Sequence, residues 1–213
     1  MILLALRAKL ETLEAATTGS TSIEATATGY ARASGSFISD GFAVGMEISG
    51  SDFLVTANNN RKTITELTAT TITCAGNSVE AADTGRTVEA LIPQDVASAN
   101  IEFTPTVGRP YFQEDYIPGP QTGIEIGETA EQEILPLYIV KVFVPSDTAI
   151  RGIMLYGTAL LALFAPGTAF TVSGHTVRSR RDLAPFAGQI LQLDGFAVLT
   201  ITVPLRVRTA NSI

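Results

Sequence analysis

The sequence predicts an α+β fold built from two helices and two groups of strands, and three observations carry that reading. Leu3, Leu6, Leu10 and Leu13 recur at spacings of three and four. Residues from about 23 to 92 run in short Thr-rich segments with β-branched alternation. From Leu137 onward, one long apolar helical pattern is framed by strand patterns. A chain of 213 residues is long enough for one large domain or two small ones.

The leucine stripe leaves Arg7, Glu11 and Glu14 off the apolar face, which describes an amphipathic first helix ending by Ala16. Ile2, Leu3, Leu4 and Leu6 are interrupted by Arg7, Lys9 and Glu11, whereas a secretory signal needs an unbroken apolar run and a membrane span needs about 20 apolar residues. The expectation is therefore a cytoplasmic product with no membrane partner. Thr17 to Ser22 are all small or turn-forming and read as a linker.

Strands are expected at Lys62–Leu67, Thr70–Ala75 and Thr87–Ile92, with turns at Gly41, Gly45, Gly50 and Asn58 to Asn60. Five or so such strands describe a small β-barrel or sandwich. Cys74 has no cysteine partner in the chain and reads as a small core residue of its strand.

In the second half a strand is expected to begin at Ile101 to Thr104, followed by one over Tyr111 to Tyr116 with aromatic residues on both faces. Pro118, Gly119, Pro120 and Gly123 break it, and Ile124 and Ile126 allow a short further strand. Glu125, Glu128, Glu131 and Glu133 make the next loop acidic. Leu137 to Val144 is apolar except for Lys141, as a central strand covered on its faces would be.

Pro145 ends that strand and Ser146 and Asp147 suit a helix N-cap. The helical spacing from Ile150 to Phe164 predicts about 17 residues, ~25 Å of helix. Leu155, Tyr156 and Leu163 widen its apolar face, so two surfaces are expected to cover it: its own sheet, and a second helix or another subunit. Phe170–Ser173 and His175–Arg178 flank Gly174 as a hairpin. In the last strand Ala197, Leu199, Ile201, Val203, Leu205 and Val207 share one face, and Pro204 suggests an edge or a bulge because it lacks a ladder donor.

Composition narrows the function. Hydrophobic residues make up 46% of the chain and mean hydropathy is +0.27, enough for a sizeable core. The charged fraction is 16% against the usual value of about 25%, which points to surface covered by partners. A net charge of −7 argues against coating nucleic acid, because that affinity comes from cations replacing counterions on phosphates.

His175 with Ser173 or Ser179 and a carboxylate is the one triad available, and no nucleophile elbow, Walker loop or dinucleotide fingerprint accompanies it. One His and one Cys do not make an ordinary zinc site. The glutamates at 125, 128, 131 and 133 lack the Asp and Gly pattern of an EF-hand and read as a solvated acidic loop. The expectation is no catalytic residue, no cofactor and no metal. Arg178, Arg180 and Arg181 form the strongest basic cluster, either a solvated hairpin end or a patch that meets an acidic patch on a neighbouring copy or partner ring.

The order and spacing of Ile101 to Pro105, Pro110 to Phe112, the acidic loop, Leu137 to Pro145, Ile150 to Gly167 with its Phe164-Ala-Pro-Gly167 ending, and Phe170 to Arg208 resemble the tail terminator proteins of long-tailed bacteriophages. The resemblance implies a first helix packed with the second across a mostly antiparallel sheet. It also implies a hexameric ring in the virion neck that caps the tail tube, stops its polymerisation and presents a surface to the head connector or stopper protein. DNA would pass through the ring without specific binding, and the acidic loop would face the lumen. Arg32 to Gly45, Met46 to Ser49 and Thr63 to Thr73 resemble a small β-module of phage structural proteins, which makes residues 20–93 an insertion between 1–19 and 94–213. Two other classes stay open: another neck or tail component, such as a head-tail joining protein or tube subunit, and a carbohydrate-binding or hydrolytic accessory using Tyr30, Phe37, Phe42 and Phe53.

Overall fold

The computed structural model describes residues 2–19, 21–93, 95–98, 102–106, 109–123, 131–146, 150–172 and 175–210, with the backbone alone at residues 14, 131, 172, 175, 209 and 210. Helix α1 spans Ile2–Leu10 and buries Ala5, Leu6 and Leu10. It ends earlier than the leucine stripe suggests, because Glu14–Thr17 is strand β1, paired antiparallel with a later strand at Glu14↔Leu91 and Thr17↔Glu89. The expected linker likewise runs into strand β2, Thr21–Thr26.

The first sheet continues through β3 (Gly29–Ala31), β4 (Glu47–Ser51), β5 (Lys62–Thr63), β6 (Glu66–Leu67), β7 (Thr71–Thr73) and β8 (Glu80–Leu91). Its order is β5-β4-β8-β2-β3-β7-β6, with β1 also on β8. The long strand β8 serves β2 with its first half and both β1 and β4 with its second. The two end strands β5 and β6 are separated in sequence only by Ile64 and Thr65. Ile23, Tyr30, Phe37, Phe42, Ile48, Phe53, Ile72 and Val88 are buried in this half of the chain. Cys74 is buried there as well.

A polar network closes one end of this sheet. Glu80 accepts hydrogen bonds from the backbone N–H of Leu54 (2.9 Å) and Val55 (3.1 Å) and from the Asn58 amide (3.1 Å), and it pairs with the buried Arg86.

The second sheet comprises β9 (Val96–Ser98), β10 (Tyr111–Ile117), β11 (Gln121–Gly123), β12 (Glu131–Ile134), β13 (Leu137–Pro145), β14 (Ala169–Val172), β15 (His175–Ser179), β16 (Phe186–Leu193) and β17 (Phe196–Ala210). Along it the order is β11-β12-β17-β13-β10-β9, with β15 and β16 also on β17 and β14 on β15. All pairs are antiparallel except β9 with β10. The described chain is thus mostly antiparallel sheet with two helices, in agreement with an α+β class.

Strand β13 is central, as its apolar run predicts, and it pairs with β10 and β17 along its length. Residues 102–106 are not a strand. Phe103 from this segment instead packs on Tyr111, 5.2 Å between ring centroids, beside a stack of Tyr111 on Phe143 at 4.2 Å. That loop covers the face of the sheet which the helix does not reach. Pro204 lies neither on an edge nor in a bulge: it is buried inside β17, between the stretch paired with β16 (through Thr202) and the stretch paired with β15 (from Leu205). Its missing N–H falls where β17 changes neighbours, so no ladder donor is lost.

Helix α2, Ile150–Leu163, has sheet on both sides. Against β17 the packing is so close that a Cβ on Gly157 would lie 2.5 Å from Leu199 Cδ2. On the opposite side a Cβ on Gly152 would lie 2.8 Å from the Val44 carbonyl oxygen, and Arg151 donates to the Ile38 carbonyl at 2.9 Å. The second cover for the wide apolar face of α2 is therefore the first half of the same chain. One continuous core runs through both sheets and both helices.

A buried carboxylate joins α1 to the second sheet. Glu114 of β10 accepts from Ser98 Oγ (2.7 Å) and Tyr138 Oη (2.9 Å) and meets Arg7 of α1 at 3.3 Å. Burial, with the Glu114 charge beside it, pushes the Tyr138 phenol well above its ordinary range.

Candidate assembly interface

Alternation along β15 and β17 sends apolar side chains inward and arginines outward. The register Val177↔Val207, Arg178↔Arg206, Ser179↔Leu205 buries Val177, Leu205 and Val207 and sets Arg178 directly opposite Arg206. Arg180 and Arg181 follow at the end of β15, and Arg208 lies one turn of alternation beyond Arg206. Together the five arginines, with Gly167, Thr176 and Ser179, line a cleft of about 440 Å³.

The Pro-Gly turn after α2 frames this cleft. Gly167 N–H donates to the Ser179 carbonyl at 3.0 Å, and Ser179 N–H donates to the Thr168 carbonyl at 2.9 Å. Gly167 sits at φ +83°, and a Cβ there would come within 2.8 Å of Arg181 Nε, so the absent side chain is what lets Arg181 cross the turn.

Two carboxylates of the described residues reach the cleft. Arg180 binds Asp182 through two nitrogens, and that hydrogen bonding holds the Asp182 carboxyl down at about 2. Glu133 reaches Arg206 Nε at 3.1 Å and Arg208 Nε at 3.7 Å. Among the described residues, Arg178 and Arg181 meet no carboxylate. Ser179 Oγ is buried without a hydrogen-bond partner.

The fold sets Arg206 and Arg208 beside Arg178, Arg180 and Arg181, from a strand more than twenty residues away in the sequence. The expected acidic loop is shorter than the sequence suggests. Glu131 and Glu133 belong to strand β12, and Glu133 is neutralised by Arg206 and Arg208 rather than solvated. Glu125 and Glu128 lie outside the described residues, as do Asp147, Ser173 and Gly174. His175 opens strand β15, and Ser179 ends it, buried and opposite Leu205. No group of three His, Cys, Asp or Glu residues placed to hold a metal ion occurs among the described residues. No helix there is long and apolar enough to cross a membrane.

A second feature lies further along β17. Strand β16 pairs only with β17, and its other edge carries no strand among the described residues. It is exposed along nearly its whole length, with Phe186 52%, Leu191 60% and Leu193 53% accessible. The hairpin that creates it turns on Asp194 (φ +48°) and Gly195 (φ +82°), joining Leu193 to Phe196. By contrast, the four aromatic residues that a carbohydrate platform would need, Tyr30, Phe37, Phe42 and Phe53, are all buried.

The family model for the phage tail terminator protein matches residues 78–205, a stretch that contains α2, Arg178, Arg180, Arg181 and β16. A solved structure is similar at 22% identity with a TM-score of 0.44, over 57% of this chain and 83% of that one, a level of likeness that carries no functional argument. No curated protein matches. Because the family match spans more than half of the chain, the protein belongs to the phage tail terminator family and is a structural component of a phage tail.

Proposed function

We propose that the protein assembles into a hexameric ring at the neck of a long-tailed virion, where it caps the tail tube, ends tube polymerisation and offers a surface to the head connector or stopper protein. The observation that supports this reading is strand β16, which has large exposed apolar residues and one edge without a paired strand among the described residues, and which lies within the family-matched region. Exposed edges with large apolar residues invite pairing with another chain unless something covers them. A contact between two different patches of identical chains closes into a ring when its rotation closes. The low charged fraction of the whole chain fits a surface covered by partners, and its net negative charge suits a ring that lets DNA pass unbound.

Residues 20–93 act in this reading as an inserted β-barrel module that braces the neck from its side. Its two ends are adjacent, since β1 and β8 pair at Thr17↔Glu89, which is the geometry that lets a domain accept an insertion. Light scattering on the purified chain, alone and with added tail tubes, tests the ring. A mass of six chains, bound to tubes without lengthening them, supports it. Filaments formed by the chain alone would make it a tube subunit instead.

A further inference from the structure

We propose that the face of the second sheet turned away from α2 is a self-complementary docking surface, on which a second copy of the chain packs face to face about a two-fold axis. This goes beyond the ring reading and does not depend on it, because a two-fold contact doubles whatever unit the chain otherwise forms.

The ladder registers define the surface. Leu199 and Ile201 of β17 lie against Gly157 of α2, so Val198, Thr200 and Thr202 between and beside them point the other way. Residues directly opposite on paired strands share a face. Asp115, Ile139, Thr202 and Phe186 therefore form one row across β10, β13, β17 and β16, and Tyr111, Phe143, Val198 and Leu191 form another. Ile117 and Leu137 join the same face in the row of Pro204, and Leu193 joins it opposite Phe196. Phe103 covers the face at Tyr111. Away from that corner Ile117 is 46% accessible, and Phe186, Leu191 and Leu193 are each more than half accessible. These four large apolar side chains, from two strands far apart in the sequence, thus belong to one surface, the kind that marks a protein contact.

Charge on this surface names the occupant. Between its apolar rows lie one cation, Lys141, and one anion, Asp115, both half-buried. Neither side chain meets an ion-pair or hydrogen-bond partner among the described residues. Asp115 stands opposite Ile139, and Lys141 lies two residues along β13, so the two charges are diagonal neighbours about 7–8 Å apart at the backbone. A two-fold rotation about a point between them brings Lys141 of each copy to Asp115 of the other, making both pairs at once. That pairing offsets the cost of taking two charges out of water, which an uncharged partner would not do.

From Phe196 to Pro204, the strands β10, β13, β17 and β16 present about 550 Å² at ordinary strand spacing. Two such faces bury about 1,100 Å², the low end for a specific interface, so the contact is weak and concentration-dependent. Its geometry is that of two sheets packed through their side chains.

Sedimentation of the full chain over a range of concentrations tests this. The unmodified chain should show a reversible doubling of mass. Lys141→Asp and Asp115→Lys should each weaken the doubling about tenfold or more, because each sets like charges together twice in a two-fold contact. Lys141→Gln and Asp115→Asn are the milder pair should a reversal fail to fold, and Leu191→Ser, at an exposed site, should weaken the doubling with the melting temperature unchanged. Mixed one to one, the two reversed variants should pair with each other at the strength of the unmodified chain.

No doubling of the unmodified chain, or doubling that neither reversal weakens, overturns the proposal. Loss in both reversed variants without recovery on mixing means that the face meets a different patch or a different protein, which overturns the two-fold contact. Rings that never double leave the ring reading standing and overturn this one, whereas doubling of single chains without rings supports this one and overturns the ring.

Discussion

Tyr156 and Glu47 join the two halves of the chain. The phenol oxygen of Tyr156, on helix α2, accepts the Glu47 backbone N–H of strand β4 at 3.1 Å and donates to the Leu91 carbonyl of β8 at 3.1 Å. Its ring meets Phe112 of β10 edge-on at 5.4 Å, so one fully buried side chain touches both sheets. Tyr156→Phe keeps the ring and strands the N–H and the C=O in the core. Unsatisfied buried groups cost about 1–3 kcal/mol each, so the variant should show a lower urea midpoint at unchanged slope.

The same residue gives a pH signature. Burial, with the Glu47 charge near it, raises the Tyr156 phenol above its ordinary range. An unfolded tyrosine ionises near pH ~10, so the stabilising contribution of the neutral phenol is complete below that pH and is lost as pH rises beyond it. Tyr156→Phe should therefore show a shallower alkaline decline in stability than the unmodified chain, measured by denaturation between about pH 8 and 11.

Gly152 tests how closely α2 approaches the first sheet. On an open helix Gly→Ala gains about 1 kcal/mol. Here the new methyl would sit 2.8 Å from the Val44 backbone carbonyl, which has little freedom to give way. Overpacking of that kind costs about 1–3 kcal/mol, so Gly152→Ala should lower the melting temperature instead of raising it.

Glu114→Ala removes the acceptor shared by Ser98, Tyr138 and Arg7 and leaves their donors facing each other in a closed space. Loss of one partner from a buried charged network costs about 3–5 kcal/mol. Arg7 is partly exposed, so Arg7→Ala should cost less than Glu114→Ala in the same denaturation experiment.

Asp182 should titrate at about 2 by carbon-detected NMR, because Arg180 binds its ionised form. In Arg180→Ala the midpoint should rise toward the ordinary aspartate value of ~3.9. The pair's contribution is complete above that ordinary value and fades as pH falls through the lower one.

The parts legible in the sequence were those governed by local pattern. Leu137 to Val144 reads as a central strand because an apolar run has to be covered on both faces, and the alternation from Ala197 to Val207 marks the inward face of β17. Glu14 to Ala16 reads as the tail of a helix because the leucine stripe ignores what β8 offers across space; the pairing with Glu89 to Leu91 decides it. Strand β16 was signalled by Asp194-Gly195, the strongest short-range hairpin pair, yet its one-sided pairing gives no clean alternation between buried and exposed residues.

At the candidate site the sequence shows Arg178, Arg180 and Arg181 as neighbours. Their meeting with Arg206 and Arg208 depends on the β15–β17 register, which no local spacing reveals. Glu133 illustrates the same limit. Its stretch has no nearby Lys or Arg in sequence, while Arg206 and Arg208 lie across the ladder.

Electron microscopy of growing tail tubes, with and without this protein, addresses capping most directly. Rings seated at one end of each tube, together with a fixed tube length once the protein is added, are the expected result. Tubes that continue to lengthen, or protein distributed along their walls, would contradict a terminating cap.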